Sequence, residues 1–386
     1  MSAGDPIPLA RPVIGDRERE LVDAVLRSRQ LSLGPTVTAF ERAWADRIGT
    51  KYAVACSSGT AGLHCCLHAL GIGPGDEVIT SSFSFVASAN VILYTGATPV
   101  FAEVDPLTFN MDPAAVEAAI TPRTKAILIV DIFGYPADIP TLVDIAHRHG
   151  LGVVEDACQS IDGDFNGKKL GTFGHPAVYG FYANKQMTTA EGGLILTDSD
   201  ALYTELKSLT NQGRSDDGAW LVHSRLGFNY RLSDVHAAIG IAQLERLDWM
   251  QDARARIAGL YQERMADIDG VTVMYEGSQR RSWFVYAPRL DADLDRDRII
   301  SRLESEEIAA KPYLPCIHLQ PYYREAHGHR PGELPVTEEI SASTIALPFF
   351  CEMTDEQVER VCDAVDRAIR AERTGAPGPL ESRVMA

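Results

Sequence analysis

The sequence FYANKQMTTAEGG, residues 181–193, joins two continuously apolar runs, 177–181 and 193–197. Lys185 therefore lies just past a strand that the pattern places in a core. A lone lysine is most often a solvated surface charge. A lysine in a partly desolvated pocket can instead lose its proton and form a Schiff base with an aldehyde. The aromatic and glycine-rich residues around Lys185 favour this second alternative.

Similar apolar runs recur between residues 52 and 198 and alternate with helix patterns. Continuous apolar character is typical of strands buried on both faces of a sheet. The sequence therefore predicts an α/β fold with a mainly parallel central sheet flanked by helices, and a ligand site at the carboxyl ends of its strands. The predicted strands are 53–56, 77–79, 99–104, 126–131, 152–156, 177–181 and 193–197.

We expect four regions along the 386 residues. They are an N-terminal arm with one helix (1–35), a large ligand-binding α/β domain (36–250), a smaller C-terminal α+β domain (251–373) and a loose tail (374–386). The elements predicted outside the sheet are helices at 14–26, 37–48 and 296–306, strands at 271–275 and 283–289, a long helix capped by Ser233 that continues, bent, to 268, and a last helix through Val358 and Ile369.

Composition excludes several classes of protein. The formal charge of −17, from 36 basic and 53 acidic residues, argues against nonspecific nucleic-acid binding. The seven cysteines form no C-x-x-C pair, so we expect buried free thiols and neither a disulfide framework nor a metal site. No apolar run has transmembrane length, and residues 1–12 lack the apolar region of a signal peptide. We therefore expect no membrane association and a cytoplasmic location.

The sequence SSGTA, residues 57–61, joins a predicted strand end to a helix start. Free backbone N–H groups and the helix dipole make such a place favourable for a phosphate. An ordinary helix cap with small residues would give the same pattern. The motif alone does not decide between the two.

The sequence EDACQ, residues 155–159, ends another apolar strand. An acid there has little solvent and needs a cationic partner. The ring nitrogen of pyridoxal phosphate (PLP) is one such partner, because PLP enzymes hold it protonated against an aspartate. A loop-capping aspartate is the competing interpretation. A fourth motif, GFNYRLSD at 227–234, places Asn229 and Arg231 as polar donors just before the long helix, or simply forms a capping turn.

Together these segments resemble the DegT/DnrJ/EryC1/StrS sugar aminotransferases, a family of fold-type I PLP enzymes. The resemblance extends from about residue 8 to 369. It rests on SSGTAGLH, GIGPGDEVI, SFSFVASAN, GATPVFAEVDP, VVEDACQS, FYANKQMTTAEGG, LGFNYRLSDVHAAIGIAQLERLD, PYLPCIHLQPYY and ALPFF.

The resemblance implies a role for each matching residue. Lys185 forms the Schiff base with PLP and moves protons, and Asp156 pairs with the ring nitrogen. Gln159 lies near the phenolic oxygen, and Phe85 stacks on the ring. The residues implied for the phosphate are Gly59, Thr60, Ala61 and, from the partner subunit of a homodimer, Asn229.

Two positions are informative when the chain is compared with its relatives. Many relatives have a serine phosphate ligand five residues before the lysine, where this chain has Gly180. A branch of the fold that performs deoxygenation has histidine in place of the lysine, so Lys185 favours amino transfer.

The resemblance implies transfer of an amino group, with glutamate as donor and pyridoxamine phosphate as intermediate, to a keto-sugar that is nucleotide-linked. Arg231, Tyr313 and His318 are candidate substrate-binding residues, although His318 fits a packing role equally well. Three alternatives remain open at this stage: a keto-cyclitol acceptor, a PLP-dependent dehydratase or epimerase, and a non-catalytic regulatory relative.

Overall fold

The computed structural model describes residues 5–215 and 219–375. The helices are α1 (Asp16–Ser28), α2 (Pro35–Ile48), α3 (Gly59–Ala69), α4 (Ala87–Tyr94), α5 (Pro113–Ala118), α6 (Ile139–Arg148), α7 (Asp200–Leu209), α8 (Asp234–Glu245), α9 (Leu247–Met265), α10 (Arg296–Ser305), α11 (Pro321–His327), α12 (Pro335–Ser343) and α13 (Asp355–Arg373). The strands are β1 (Tyr52–Cys56), β2 (Glu77–Ser81), β3 (Thr98–Ala102), β4 (Thr124–Val130), β5 (Gly152–Asp156), β6 (Asp164–Phe165), β7 (Lys168–Lys169), β8 (Ala177–Gly180), β9 (Gly193–Thr197), β10 (Val271–Thr272), β11 (Arg289–Leu290), β12 (Lys311–Pro312) and β13 (Ile345–Ala346).

A seven-stranded sheet in the order β1-β9-β8-β5-β4-β2-β3 forms the centre of the large domain. Only β9 runs against its neighbours, pairing antiparallel with β1 and β8. The prediction of a mainly parallel sheet flanked by helices is confirmed. The carboxyl ends of β2, β5 and β8 therefore meet at one edge, where the motifs of interest follow.

Two apolar cores cover the two faces of this sheet. Side chains alternate along β4, so Ile127 and Ile129 face one core and Leu128 and Val130 face the other. Both faces are dry, which is why the strand sequences are continuously apolar.

The long helix predicted from Ser233 is present with a bend. Ser233 caps α8 by accepting a hydrogen bond from the His236 N–H, and the helical path changes at Arg246, where α9 begins. The predicted helices of the N-terminal arm and the small domain lie within two residues of α1, α2 and α10. Of the predicted tail, residues 376–386 lie outside the described part of the chain.

The small domain has far less strand structure than predicted. The expected strand 271–275 is reduced to β10, and of 283–289 only Arg289 belongs to a strand. Trp283, Phe284 and Tyr286 are buried side chains. Trp283 and Tyr286 belong to the core around α9 and α13, and strand-like pairing among these three residues is limited to an isolated bridge between Tyr286 and Leu347.

Within the described ranges, no helix combines the length and apolar character that crossing a membrane requires.

Candidate active site

Lys185 lies in the loop between β8 and β9, at the edge where the parallel strands end. Its backbone N–H donates to the Tyr182 carbonyl at 3.0 Å, and its Nζ lies 4.1 Å from the centre of the Phe284 ring. Burial lowers the pKa of Lys185, against the opposing charges of Cys158 and Asp156. The amine is therefore more readily neutral, and nucleophilic, than that of an exposed lysine.

Asp156 is the last residue of β5 and is almost fully buried. Its Oδ2 accepts a hydrogen bond from Ser88 Oγ at 2.7 Å, and its Oδ1 accepts one from the Cys158 N–H at 3.2 Å. Both of these donors are neutral. A buried carboxylate held in this way is a strong site for a cationic group of a ligand.

The start of α3 has the form expected of an anion site, with one change. Ser58 Oγ accepts the Ala61 N–H at 3.1 Å, so this amide is already engaged. The amides of Gly59 and Thr60, in the first turn, have no acceptor within the helix. Of the three predicted phosphate-binding residues, Gly59 and Thr60 are thus better placed to donate than Ala61.

Gly59 and Gly180 pack against each other with Cys158 beside both. A Cβ added to Gly59 would lie 2.6 Å from Cys158 Sγ, and one added to Gly180 would lie 3.1 Å from the same atom. The Cys158 side chain therefore occupies the space that a serine at position 180 would need. Glycine at position 180, where many relatives have serine, thus accompanies a cysteine at position 158.

A cavity of about 1130 Å³ opens beside Lys185. Gln159 lies in its wall, with Oε1 accepting the Phe133 N–H at 3.1 Å, which leaves the Gln159 side-chain NH₂ available to a ligand. Phe85, predicted to stack on a flat ring, also lines it and is 60% exposed. Among the described lining residues, Lys185 alone has a charged side chain. Aromatic rings form much of the wall, namely Phe85, Tyr94, Tyr182, Phe284, Tyr313, Tyr322 and Tyr323.

The three candidate substrate-binding residues occupy different surroundings. Tyr313 lines the cavity and stacks on Phe133 at 5.7 Å. Arg231 is not among the lining residues, and its Nη1 donates to Asn211 Oδ1 at 3.0 Å. His318 is fully buried and also lies outside the lining. Of the three candidate substrate-binding residues, therefore, only Tyr313 lines the cavity of its own chain.

His318 instead forms a buried polar link. Its Nδ1 lies 2.6 Å from Ser82 Oγ, and its Nε2 lies 3.1 Å from Glu338 Oε1. Asn229 is exposed and does not line the cavity of its own chain.

Sequence reasoning missed three residues that hold the site together: Ser84, Ser88 and Arg254. Ser84 and Ser88 are spaced four residues apart in SFSFVASAN, a spacing that brings side chains together in helical turns. That spacing was a usable indication. Arg254 gave none, because an arginine in the middle of a helix is usually solvent-exposed.

Comparison with known proteins adds to this geometry. The sequence profile of the DegT/DnrJ/EryC1/StrS aminotransferase family matches residues 12–366. GDP-perosamine synthase of Caulobacter vibrioides is 38% identical over 368 residues, which cover 94% of this chain and 98% of that protein.

Two solved structures are similar throughout. DesV of S. venezuelae, in complex with a ketimine intermediate, superposes with a TM-score of 0.86 at 33% identity, covering 91% of this chain and 94% of that one. DesI, in the presence of its TDP-sugar product, superposes with a TM-score of 0.89 at 32% identity, covering 97% of this chain and 96% of that one.

Proposed function

The chain belongs to the DegT/DnrJ/EryC1/StrS aminotransferase family, and from that premise we propose that it transfers an amino group from glutamate to a nucleotide-linked keto-sugar with PLP at Lys185. Its similarity to sugar aminotransferases makes the chain a sugar aminotransferase. The single observation that carries the proposal is the half-buried Lys185 amine beside the buried Asp156 carboxylate.

The residues present fit PLP. Lys185 would bind its aldehyde carbon, and Asp156 would pair with its ring nitrogen. The backbone N–H groups of Gly59 and Thr60 would donate hydrogen bonds to its phosphate. Cys158 leaves no room for a side chain at position 59, so a residue there can contribute only its backbone. Phe85 and Gln159, both in the cavity wall, would contact the ring face and the phenolic oxygen.

The bound cofactor supplies an electron sink for the charge left when a carbon loses its proton. The proton itself is moved by the protein. Lys185 Nζ, whose pKa burial lowers, would accept the proton from the α-carbon of glutamate. In the second half-reaction the same atom returns a proton to the acceptor carbon.

A nucleotide-linked acceptor is supported by the relatives, whose names specify GDP and TDP sugars. The cavity is large enough for PLP together with a second ligand. A pyrophosphate also needs cations or N–H donors. Since Lys185 is the only charged group in the described lining, we propose that these donors come from a second copy of the chain.

We propose a homodimer with a shared site for the same reason. Asn229 is exposed and does not line the cavity of its own chain, and the nearby Trp220 and Leu226 are strongly exposed apolar side chains. Mixing inactive K185A and N229A proteins tests the arrangement. A mixed dimer would rebuild one intact site and recover activity, whereas a site made within one chain would recover none.

The reaction itself is tested by the absorbance of the PLP-loaded protein before and after glutamate. We expect the band of the lysine-bound cofactor to be replaced by that of pyridoxamine phosphate. K185A should lose this conversion by about a hundredfold or more. The exposed Lys125 provides the matched control, K125A. A wild-type rate in K185A would refute the mechanism, and PLP binding without conversion would indicate a dehydratase or epimerase.

A keto-cyclitol acceptor is the second candidate. The observation favouring it is the described cavity wall, whose only charge is Lys185 and which suits a neutral ring better than a pyrophosphate. Assaying the pyridoxamine-loaded protein with both classes of ketone decides between them.

A further inference from the structure

Two serine hydroxyls link the cavity wall to Asp156. Ser84 Oγ lies 2.9 Å from Ser88 Oγ, and Ser88 Oγ lies 2.7 Å from Asp156 Oδ2. All three residues are buried, with exposures of 2%, 1% and 6%. Ser84 also lines the cavity beside Lys185. The result is a continuous path of hydrogen bonds from the cavity to the buried acid.

The direction of these bonds follows from counting protons. An ionised carboxylate only accepts, so the single hydroxyl proton of Ser88 is given to Asp156. Ser88 can then take part in the other bond only as acceptor, which makes Ser84 the donor. The Ser84 proton is thereby used as well. Toward a group in the cavity, Ser84 Oγ can therefore act only as a hydrogen-bond acceptor.

We propose that Ser84 and Ser88 form a one-way hydroxyl chain, in which Ser88 is the positioning residue for Asp156 and Ser84 Oγ is an acceptor for a hydroxyl or ammonium hydrogen of the bound substrate. The inference rests on the proposed function in one respect, that Asp156 faces a cationic ring nitrogen. The chain itself is a property of the protein without cofactor.

The packing explains why the chain is kept in place. Ser84 precedes α4 and Ser88 lies in its first turn, with the Ser88 N–H donating to the Phe85 carbonyl at 3.1 Å. The same turn therefore carries Phe85 into the cavity wall and presents the Ser88 hydroxyl to Asp156. A charge-assisted bond of 2.7 Å within a buried site is short and strong.

A double-mutant cycle tests the chain. S88A should weaken PLP binding by about tenfold and shift the pH midpoint of the holoenzyme's absorbance, because Asp156 loses its only hydroxyl donor among the described residues. S84A should have a smaller effect. In the S88A background, S84A should have no further effect on PLP affinity, since the hydroxyl it supports is gone.

The matched control is S160A, because Ser160 is also buried and its Oγ donates to the Gly134 carbonyl at 3.3 Å, away from Asp156. It should change stability without moving the absorbance midpoint. Should S88A fail to fold, the isosteric pair S88T and S88V separates the hydroxyl from its shape, and only S88T should keep the wild-type PLP affinity. Additive effects of S84A and S88A, or an S88A affinity within twofold of wild type, would overturn the chain.

The same cycle read by urea unfolding of the cofactor-free protein separates the two proposals. Non-additivity there supports the hydroxyl chain whether or not PLP binds. A protein that binds no PLP, yet shows this coupling, would contradict the proposed function alone. Additivity in the cofactor-free protein would contradict the chain alone.

Discussion

Arg254 is a buried cation that holds the backbone on two sides of Lys185. Its Nη2 donates to the Lys185 carbonyl at 3.1 Å, and its Nη1 donates to the Phe284 carbonyl at 3.2 Å. Phe284 carries the ring that lies against Lys185 Nζ. Burial lowers the pKa of Arg254, and burying this charge is costly. One guanidinium thus fixes both the amine and the ring it contacts.

Replacing Arg254 by Met should misplace Lys185. Hydrogen bonds from a charged group contribute about 1.5–3 kcal/mol each, so R254M should reduce PLP affinity by roughly tenfold and lower kcat. R254K should recover only part of this loss, because one ammonium cannot reproduce the planar fork.

The control for R254M is R256M, on the exposed side of the same helix, where Arg256 bonds Asp355 and the Met353 carbonyl. The measurement is cofactor titration followed by steady-state kinetics. Equal effects of R254M and R256M on PLP affinity would contradict the positioning role.

At this scale the sequence indicated Lys185 and Asp156 because Asp156 ends one buried strand and Lys185 lies in the loop after another, where a charged side chain is unusual unless it has a partner or a function. It left His318 open between substrate binding and packing, because a polar residue in a loop-like segment carries no indication of its burial; in the structure His318 is buried outside the cavity lining. Ser88 and Arg254 act through atoms of residues far away in the sequence, which a linear pattern does not contain.

Among the elements, the end of β8 and the start of α3 meet through two glycines and one thiol. A Cβ at Gly180 lies 3.1 Å from Cys158 Sγ, which is closer than ordinary contact. G180S should therefore destabilise the protein by about 1–3 kcal/mol through overpacking. C158A/G180S should recover part of that loss, because Sγ is removed while Cys158 Cβ, 3.2 Å from the added Cβ, remains.

Urea unfolding of the four proteins in this cycle measures the coupling between positions 158 and 180. G73S is the control, since a Cβ at Gly73 meets no atom within 4 Å. If C158A/G180S were no more stable than G180S, the thiol would not be what excludes serine from β8.

Element boundaries were predictable where one physical cause dominates. The buried strands β5 and β9 have the predicted limits, because a two-sided core produces a continuous apolar run with sharp ends. The segment 283–289 was wrong as a strand because burial of Trp283 and Tyr286 gives the same apolar pattern, while Tyr286 pairs only through an isolated bridge to Leu347. The hydrophobic pattern of a sequence indicates directly which residues are buried, and it indicates secondary structure only through that burial.

Across the whole molecule, the His318 link joins the end of the central strand β2 to α12, because Ser82 follows β2 and Glu338 belongs to α12. Burial lowers the pKa of His318, although the hydrogen bond that His318 donates to Glu338 opposes the shift. The imidazole therefore takes up a proton less readily in the folded protein than in the unfolded chain.

This proton uptake predicts the pH dependence of stability. A histidine whose folded pKa is lowered contributes full stability above its unfolded pKa of about 6.5, and that contribution is lost as pH falls below it. H318Q cannot be protonated, so its unfolding free energy should decline less steeply than that of wild type between about pH 6.5 and 5. H147Q is the control, because His147 is exposed on α6. Urea unfolding at each pH measures the slopes.

Because Ser82 lies three residues before Phe85, loosening this link should also disturb the cavity wall, and PLP affinity should fall over the same pH interval in wild type. Parallel slopes for H318Q and wild type would mean that the acid sensitivity of the interface lies in other groups.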